Sequence, residues 1–196
     1  MNKKIYLVAD ASEEYNILLP KLKEAIKNGI DYLQLFNCEN TDFQNLMDII
    51  KLCKDFRVRC IIYENIELMN RLDADGIHFD NLPKDFLKTN KIVGITVSNQ
   101  LDLIKNAEIL KLDYISFCSV FPTKSATVCE LVEREHILRA REYFSGLIFL
   151  AGGISKNNIN QLKNLQFDGI AVISEIMDAK NISHSIANLK NELSFN

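Results

Sequence analysis

A five-residue pattern recurs four times along the chain: Asp31-Tyr-Leu-Gln-Leu35, Asp75-Gly-Ile-His-Phe79, Asp113-Tyr-Ile-Ser-Phe117 and Asp168-Gly-Ile-Ala-Val172, all of the form D-[YG]-[IL]-x-[apolar]. Each copy follows a stretch with helical spacing, and self-similarity at intervals of 38–55 residues marks a repeated supersecondary unit. Between the copies lie four more short, near-continuously apolar runs, Ile5–Ala9, Cys60–Tyr63, Ile92–Val97 and Leu147–Ala151. Strands of that kind are buried on both faces, as in a parallel sheet.

The intervening segments read as helices. Pro20–Asn28 opens with Pro and ends before Gly29, and Thr41–Phe56 opens with a capping residue. Leu101–Leu112, Cys129–Phe144, Ser155–Leu165 and Ile182–Leu193 have apolar residues three and four apart, while Asn65–Leu72 and Pro83–Lys88 are long enough for only about two turns each. Eight β/α alternations with short connections leave two architectures, an open flavodoxin-like sheet and a closed (β/α)8 TIM barrel. Eight strands with a four-fold echo favour the compact α/β barrel, even though 196 residues is slightly below the usual size for one. No Pro-, Gly- or Ser-rich linker interrupts the chain, so residues 1–196 read as a single domain.

Composition excludes several function classes. With 47% apolar and 25% charged residues the chain is an ordinary globular one, long enough to bury its core without disulfide or metal. A formal charge of −3 argues against a general nucleic-acid or anionic-membrane binder, though not against a local phosphate site. The apolar run before Asp10 is too short for a signal-peptide core and no run approaches membrane-spanning length, so a cytoplasmic protein is expected. Five cysteines without a CxxC pair read as small core residues in a reducing compartment. A homodimer is expected from the apolar helix face that acidic barrels of this size often expose.

In either architecture a ligand lies at the C-terminal ends of the strands. The strongest local signal there is Ala151-Gly152-Gly153-Ile154-Ser155, together with Ala171-Val-Ile173-Ser174. Glycines let backbone N–H groups approach an anion and the helix starts beyond them add positive dipole ends, which is how barrels hold phosphate after strands seven and eight. The same glycines also suit a tight βα turn. Val120-Phe-Pro-Thr123-Lys124-Ser125 offers two hydroxyls and an ammonium to the same corner, or a solvated loop. Glu64 and Asp80, beside Asn81, are oxygen ligands suited to Mg²⁺, although adjacent carboxylates are common without metal. His78 either points into the barrel mouth or fills a polar layer, and the structural role is favoured; His136 and His184 fall on helices. Neither GxGxxG nor GxxxxGK[ST] occurs, so no dinucleotide or nucleoside triphosphate site is indicated.

The order and spacing of Gln34, Ala74-Asp-Gly-Ile-His78, Val93-Gly-Ile-Thr96, Asp113-Tyr-Ile, Val120-Phe-Pro-Thr123, Ala151-Gly-Gly-Ile154 with Asn158, and Asp168-Gly-Ile-Ala-Val-Ile-Ser174 make the whole chain resemble thiamine phosphate synthase and its TenI-type relatives, which are (β/α)8 barrels. The synthase joins a hydroxymethylpyrimidine diphosphate to a thiazole phosphate and releases pyrophosphate, with Mg²⁺ neutralising the leaving group. The resemblance implies that Thr123, Ser125, Gly152, Gly153, Ile173 and Ser174 hold the thiazole phosphate. It implies further that Gln34 and His78 face substrate and that Thr96 keeps the hydroxyl of a Ser contacting the pyrimidine.

The other half departs from the family pattern. Where the family reads Q-x-R-x-K, this chain reads Gln34-Leu-Phe36-Asn-Cys38, so both cations that would face the diphosphate are gone. Tyr63-Glu64 stands for an Asn-Asp pair, Asn81 for a second metal-binding Asp with Asp80 beside it, and Ala126 for a Lys that Lys124 replaces from within the loop. Each charge-assisted hydrogen bond is worth about 1.5–3 kcal/mol, so losing two or three costs on the order of 10³-fold in rate. The TenI-type isomerase uses a His after strand six, where this chain has Ser119. Three functions therefore stand: a divergent transferase in which Thr96, Lys124, Glu64 and Asp80 sustain catalysis with Mg²⁺, a TenI-like tautomerase or other isomerase, and a non-catalytic binder of a thiazole or thiamine phosphate. Cys38 has no obvious neighbouring cation to activate it, so an idle thiol is expected.

Overall fold

The computed structural model describes residues 3–123 and 130–194. Eight parallel strands hydrogen-bond in chain order and close on themselves: β1 Lys4–Asp10, β2 Tyr32–Phe36, β3 Arg59–Tyr63, β4 Gly76–Phe79, β5 Ile92–Val97, β6 Tyr114–Phe117, β7 Leu147–Ala151 and β8 Gly169–Val172. β1 pairs with both β2 and β8, with Tyr6 opposite Tyr32 and Ala171. The repeated pentads are the four even-numbered strands. Helices α1 (Tyr15–Lys27), α2 (Phe43–Phe56), α3 (Ile66–Leu72), α4 (Leu101–Ile109), α5 (Arg134–Tyr143), α6 (Ser174–Met177) and α7 (Ile182–Leu193) cover the outside.

The pentad has a physical explanation. Its Asp closes a reciprocal pair of bonds with the preceding odd strand. The Asp31 carboxylate accepts from Ile5 N, Asp75 from Cys60 N, Asp113 from Val93 N and Asp168 from Ile148 N, each at 2.8–2.9 Å. The backbone N–H of each Asp donates in return to the carbonyl of that same partner residue. Four copies of this clasp tie neighbouring strands at the N-terminal end of the barrel. From there the strand alternation sends the third and fifth pentad residues outward against the helices, where Leu33, Leu35, Ile77, Phe79, Ile115 and Phe117 are buried. The second and fourth residues point inward.

The lower interior is a packed floor of Tyr6, Tyr32, Ile61, Tyr114 and Phe149, with ring centroids 5.2–5.8 Å apart between Tyr6 and its three aromatic neighbours. Small residues make room for the large ones: a Cβ on Gly94 would lie 2.0 Å from Tyr114 Cζ, so only glycine admits that ring. Above this floor the inward layer becomes polar, and the cavity begins.

Five segments expected to be helical differ from expectation. The first helix starts at Tyr15 rather than Pro20 and carries Pro20 inside it, giving up one hydrogen bond while Leu18, Leu22, Ala25 and Ile26 still reach the core. The second begins one residue after Asp42, whose carboxylate caps Gln44 N and Asn45 N at 2.8 and 3.2 Å. Pro83–Lys88 is not helical. A turn from Phe86 N to Pro83 O replaces the helix, and Phe86 alone packs edge-on against Phe79. Ser155–Leu165 holds only a 3-10 turn at Ile159–Leu162, because Asn158 Oδ1 and Ser155 Oγ accept from nearby backbone N–H groups and compete with helical bonding. The helix expected over Cys129–Phe144 is confined to α5, with residue 129 outside the described residues. No helix among the described residues is long and apolar enough to cross a membrane.

Candidate functional site

At the C-terminal mouth the strands enclose a cavity of about 440 Å³. Its depth is set by the fourth pentad position, which places Gln34, His78, Ser116 and Ala171 in one inward layer above the aromatic floor. Gln34 and His78, both singled out in the sequence, are buried there. A chain of hydrogen bonds crosses the barrel through them. Thr96 Oγ1 lies 2.9 Å from His78 Nε2, Tyr114 Oη 2.9 Å from His78 Nδ1 and 2.8 Å from Tyr6 Oη, and Tyr6 Oη donates to Gln34 Oε1 at 2.8 Å. Burial lowers the His78 pKa to about 4, with Asp80 opposing the shift, so the imidazole is neutral at pH 7. Burial likewise pushes the phenols of Tyr6 and Tyr114 up, and both stay protonated.

Opposite this layer stand the two glycines expected to form a phosphate corner. Gly152 and Gly153 take φ of +91° and +64°. A Cβ on Gly152 would lie 2.3 Å from Ser119 N, and one on Gly153 would lie 2.6 Å from Pro122 O, so both glycines are needed where the loops after β6 and β7 meet. Those loops are joined by bonds from Val120 N to Ala151 O at 2.9 Å and from Phe121 N to Gly152 O at 3.1 Å. Asn158 clamps the turn by donating to Gly153 O at 2.8 Å while accepting from Ser155 N at 2.9 Å. Thr123, Gly152, Gly153, Ile173 and Ser174 all line the cavity, with Ser174 opening α6, a short helix the sequence reading did not anticipate. Lys124 and Ser125 lie outside the described residues.

On the third side, Asp80 lines the cavity and its Oδ2 accepts from Tyr63 Oη at 2.6 Å. Glu64 stands exposed at the rim, outside the cavity wall, with Oε1 accepting from Asp80 N at 3.1 Å. The two residues therefore meet through the Asp80 backbone, while the Asp80 carboxylate is engaged by Tyr63. Among the described residues no group of three or more His, Cys, Asp or Glu side chains could hold a metal. Phe36, at one of the two positions where the family pattern has a cation, lines the cavity together with Asn37, and none of the described lining residues is Lys or Arg. Cys38 is buried, and burial together with Glu39 and Asp10 pushes its thiol up to about 12, which keeps it protonated at neutral pH.

Of the six non-glycine residues with positive φ among the described residues, three lie at this mouth and three, Arg57, Asp73 and Lys111, follow helices at the other end. Asn37 after β2, Glu64 after β3 and Ser119 after β6 take φ of +54°, +52° and +53°, a region that costs a non-glycine residue roughly 1–2 kcal/mol. The Ser119 hydroxyl is buried without a hydrogen-bond partner among the described residues. Sequence reasoning missed Tyr6, Tyr114 and Ser116 as parts of the site. The available signal was the pentad alternation, which sends positions two and four to one face.

The chain is 28% identical over 201 residues to a thiamine-phosphate synthase of Methanobrevibacter smithii, covering 98% of this chain and 96% of the relative. It is 29% identical over 196 residues to a thiamine-phosphate synthase of Fusobacterium nucleatum, covering 95% of each. The structure of thiamine phosphate pyrophosphorylase from Pyrococcus furiosus superposes with a TM-score of 0.78 at 23% identity, over 98% of this chain and 96% of that one, and shares the barrel fold. Residues 5–176 match a single family throughout, from the first strand to the helix that opens at Ser174, and on that match the chain belongs to the thiamine monophosphate synthase family.

Proposed function

We propose that this chain is a divergent thiamine-phosphate synthase that couples hydroxymethylpyrimidine diphosphate to a thiazole phosphate with release of pyrophosphate. The observation that carries the reading is that the glycine-lined corner and the Gln34, His78 and Thr96 layer open into one cavity, of a volume that suits small heterocyclic ligands. Gly152, Gly153, Thr123 and Ser174 present small or hydroxylated surface to an anion, and the first N–H groups of α6 have no partner within that helix. Gln34, His78 and Thr96 offer directed hydrogen bonds to an uncharged heterocycle. The phenyl and phenol rings beneath them exclude water from the reacting face.

Mg²⁺ fits the chemistry of the carboxylate edge. Two carboxylates are the usual protein share for this ion, which takes its remaining ligands from water and substrate phosphates. Glu64 and Asp80 would hold it. When bound, Mg²⁺ supplies positive charge to the leaving diphosphate, and Lys124 is the ammonium proposed to assist from the loop after β6. The partners are phosphorylated small molecules.

A second reading is favoured by the cation-free lining among the described residues: the chain holds only the thiazole phosphate, either isomerising it or binding it without turnover. Calorimetric titration with thiazole phosphate and with pyrimidine diphosphate, each with and without Mg²⁺, followed by a product assay on the mixture, separates the two. Binding of both ligands with formation of thiamine phosphate is expected. Binding of thiazole phosphate alone, with no product, overturns the transferase and leaves the second reading.

A further inference from the structure

The hydrogen-bond chain beneath the cavity can be read atom by atom, because its end is fixed. Tyr6 has one hydroxyl proton, and it goes to Gln34 Oε1 at 2.8 Å, an oxygen that only accepts. The Tyr6 oxygen is therefore left to accept from Tyr114 at 2.8 Å. Tyr114 has then used its own proton, so the 2.9 Å contact with His78 Nδ1 is donated by the ring. A neutral imidazole protonated at Nδ1 carries a lone pair at Nε2, and Thr96 Oγ1, 2.9 Å away, donates to it. Thr96 is consequently left with acceptor lone pairs only. Stacking holds the geometry, with the His78 ring 5.5 Å from Tyr114 and tilted by 15°.

We propose that Tyr6 and Tyr114 are positioning residues that, anchored by Gln34, hold the His78 proton on Nδ1 and thereby turn Thr96 into a pure hydrogen-bond acceptor at the cavity wall. The wall then selects a ligand that brings an N–H or O–H donor to Thr96 and disfavours one that brings an anion or a carbonyl. Both tyrosine hydroxyls are engaged within this chain of bonds. Each acts through His78. Removal of either hydroxyl breaks the one-way order: without Tyr114 Oη the Nδ1–H has no acceptor, and without Tyr6 Oη the Tyr114 proton is free to turn to Nδ1. In both cases the ring proton moves to Nε2 and Thr96 reverses, presenting its own O–H to the cavity. The selectivity rests on the reading of this cavity as the ligand site, whereas the tautomer does not.

The test is ¹⁵N NMR of the histidine rings in the full chain, with the His78 resonances assigned by their loss in His78→Asn, for the wild type, Tyr6→Phe and Tyr114→Phe. Both variants keep the ring that packs the floor. Titrations of the same proteins with hydroxymethylpyrimidine diphosphate in Mg²⁺ and with thiazole phosphate accompany the spectra. The expected result is Nδ1–H in the wild type and Nε2–H in both variants. Affinity for the pyrimidine diphosphate should fall about tenfold, the loss of one hydrogen bond, and that for thiazole phosphate should change less than about twofold. An Nε2–H tautomer in the wild type, or an unchanged tautomer in both tyrosine variants, overturns the proposal. If the wild type takes up no pyrimidine diphosphate, the transferase reading fails on its own, and the proposal is judged by the tautomer alone.

Discussion

His78 carries a cost that the fold has to offset. Its pKa lies near 4 in the native state against 6.5 for an ordinary histidine, because burial disfavours the imidazolium. Between those values the unfolded chain binds a proton that the native chain does not. The sign follows: stability from this group is complete above about pH 6.5 and is lost as pH falls toward 4, by about 3 kcal/mol in all. Urea unfolding of the wild type and His78→Gln between about pH 7 and pH 4.5 should show a steeper acid-side loss in the wild type. Parallel curves for the two proteins would remove this account. The sequence made His78 visible, but its role was ambiguous there, since an inward histidine on a strand serves equally as filler or as part of a site. Its partners Tyr114 and Thr96 come from β6 and β5, and only closure brings all three together.

The strand–helix units depend on the pentad clasps and on the glycines between the aromatic rings. Ile5 is wholly buried, and Asp31→Ala would leave its N–H without the carboxylate it donates to at 2.8 Å. A loss of roughly 1–3 kcal/mol in urea unfolding is expected, the cost of an unsatisfied buried donor. Gly94→Ala acts by a different route. Its methyl would meet the Tyr114 ring at 2.0 Å, so the ring must move and the variant should lose roughly 1–3 kcal/mol of stability. Because Tyr114 Oη bonds His78, that variant should also disturb the His78 ring resonances, which Asp31→Ala at the far end of the barrel should leave alone. The strands were legible as units because their side-chain period is two and both faces are buried. Helix ends were less legible. The segment 83–88 has few internal bonds to offset its nucleation cost, and the Asn- and Ser-rich 155–158 turn spends its side chains on its own backbone.

At the level of the whole barrel, the two sides of the cavity differ in charge and should differ in what they need from solution. On the proposed function, the glycine corner takes a thiazole phosphate without a metal, while the edge bearing Asp80 and Glu64 takes a diphosphate only with a divalent cation. Thermal unfolding should therefore shift upward with thiazole phosphate alone, by about 2–4 °C per kcal/mol of binding stabilisation for a domain of this size. With pyrimidine diphosphate an upward shift is expected only when Mg²⁺ is present. A shift of equal size without Mg²⁺ would mean that a cation of the chain itself faces the diphosphate.

Periodicity was sufficient for a parallel α/β fold and favoured the barrel over an open sheet, and the closed strand order decides it. Four pentads and four apolar runs alternate with helical spacing, and burial on both faces admits a parallel sheet whose eight members close. The glycine pair at the end of β7 was also legible as a special turn, and the structure adds a packing reason for it, since a Cβ on either glycine would meet the backbone of the loop after β6. What the linear order did not contain was the course of the hydrogen-bond chain from Gln34 to Thr96, the exclusion of Glu64 from the cavity wall, and the conversion of Thr96 to an acceptor. These are relations among residues on five different strands. Their distances exist only once the sheet has closed, and the direction of each proton follows only from its neighbours in space.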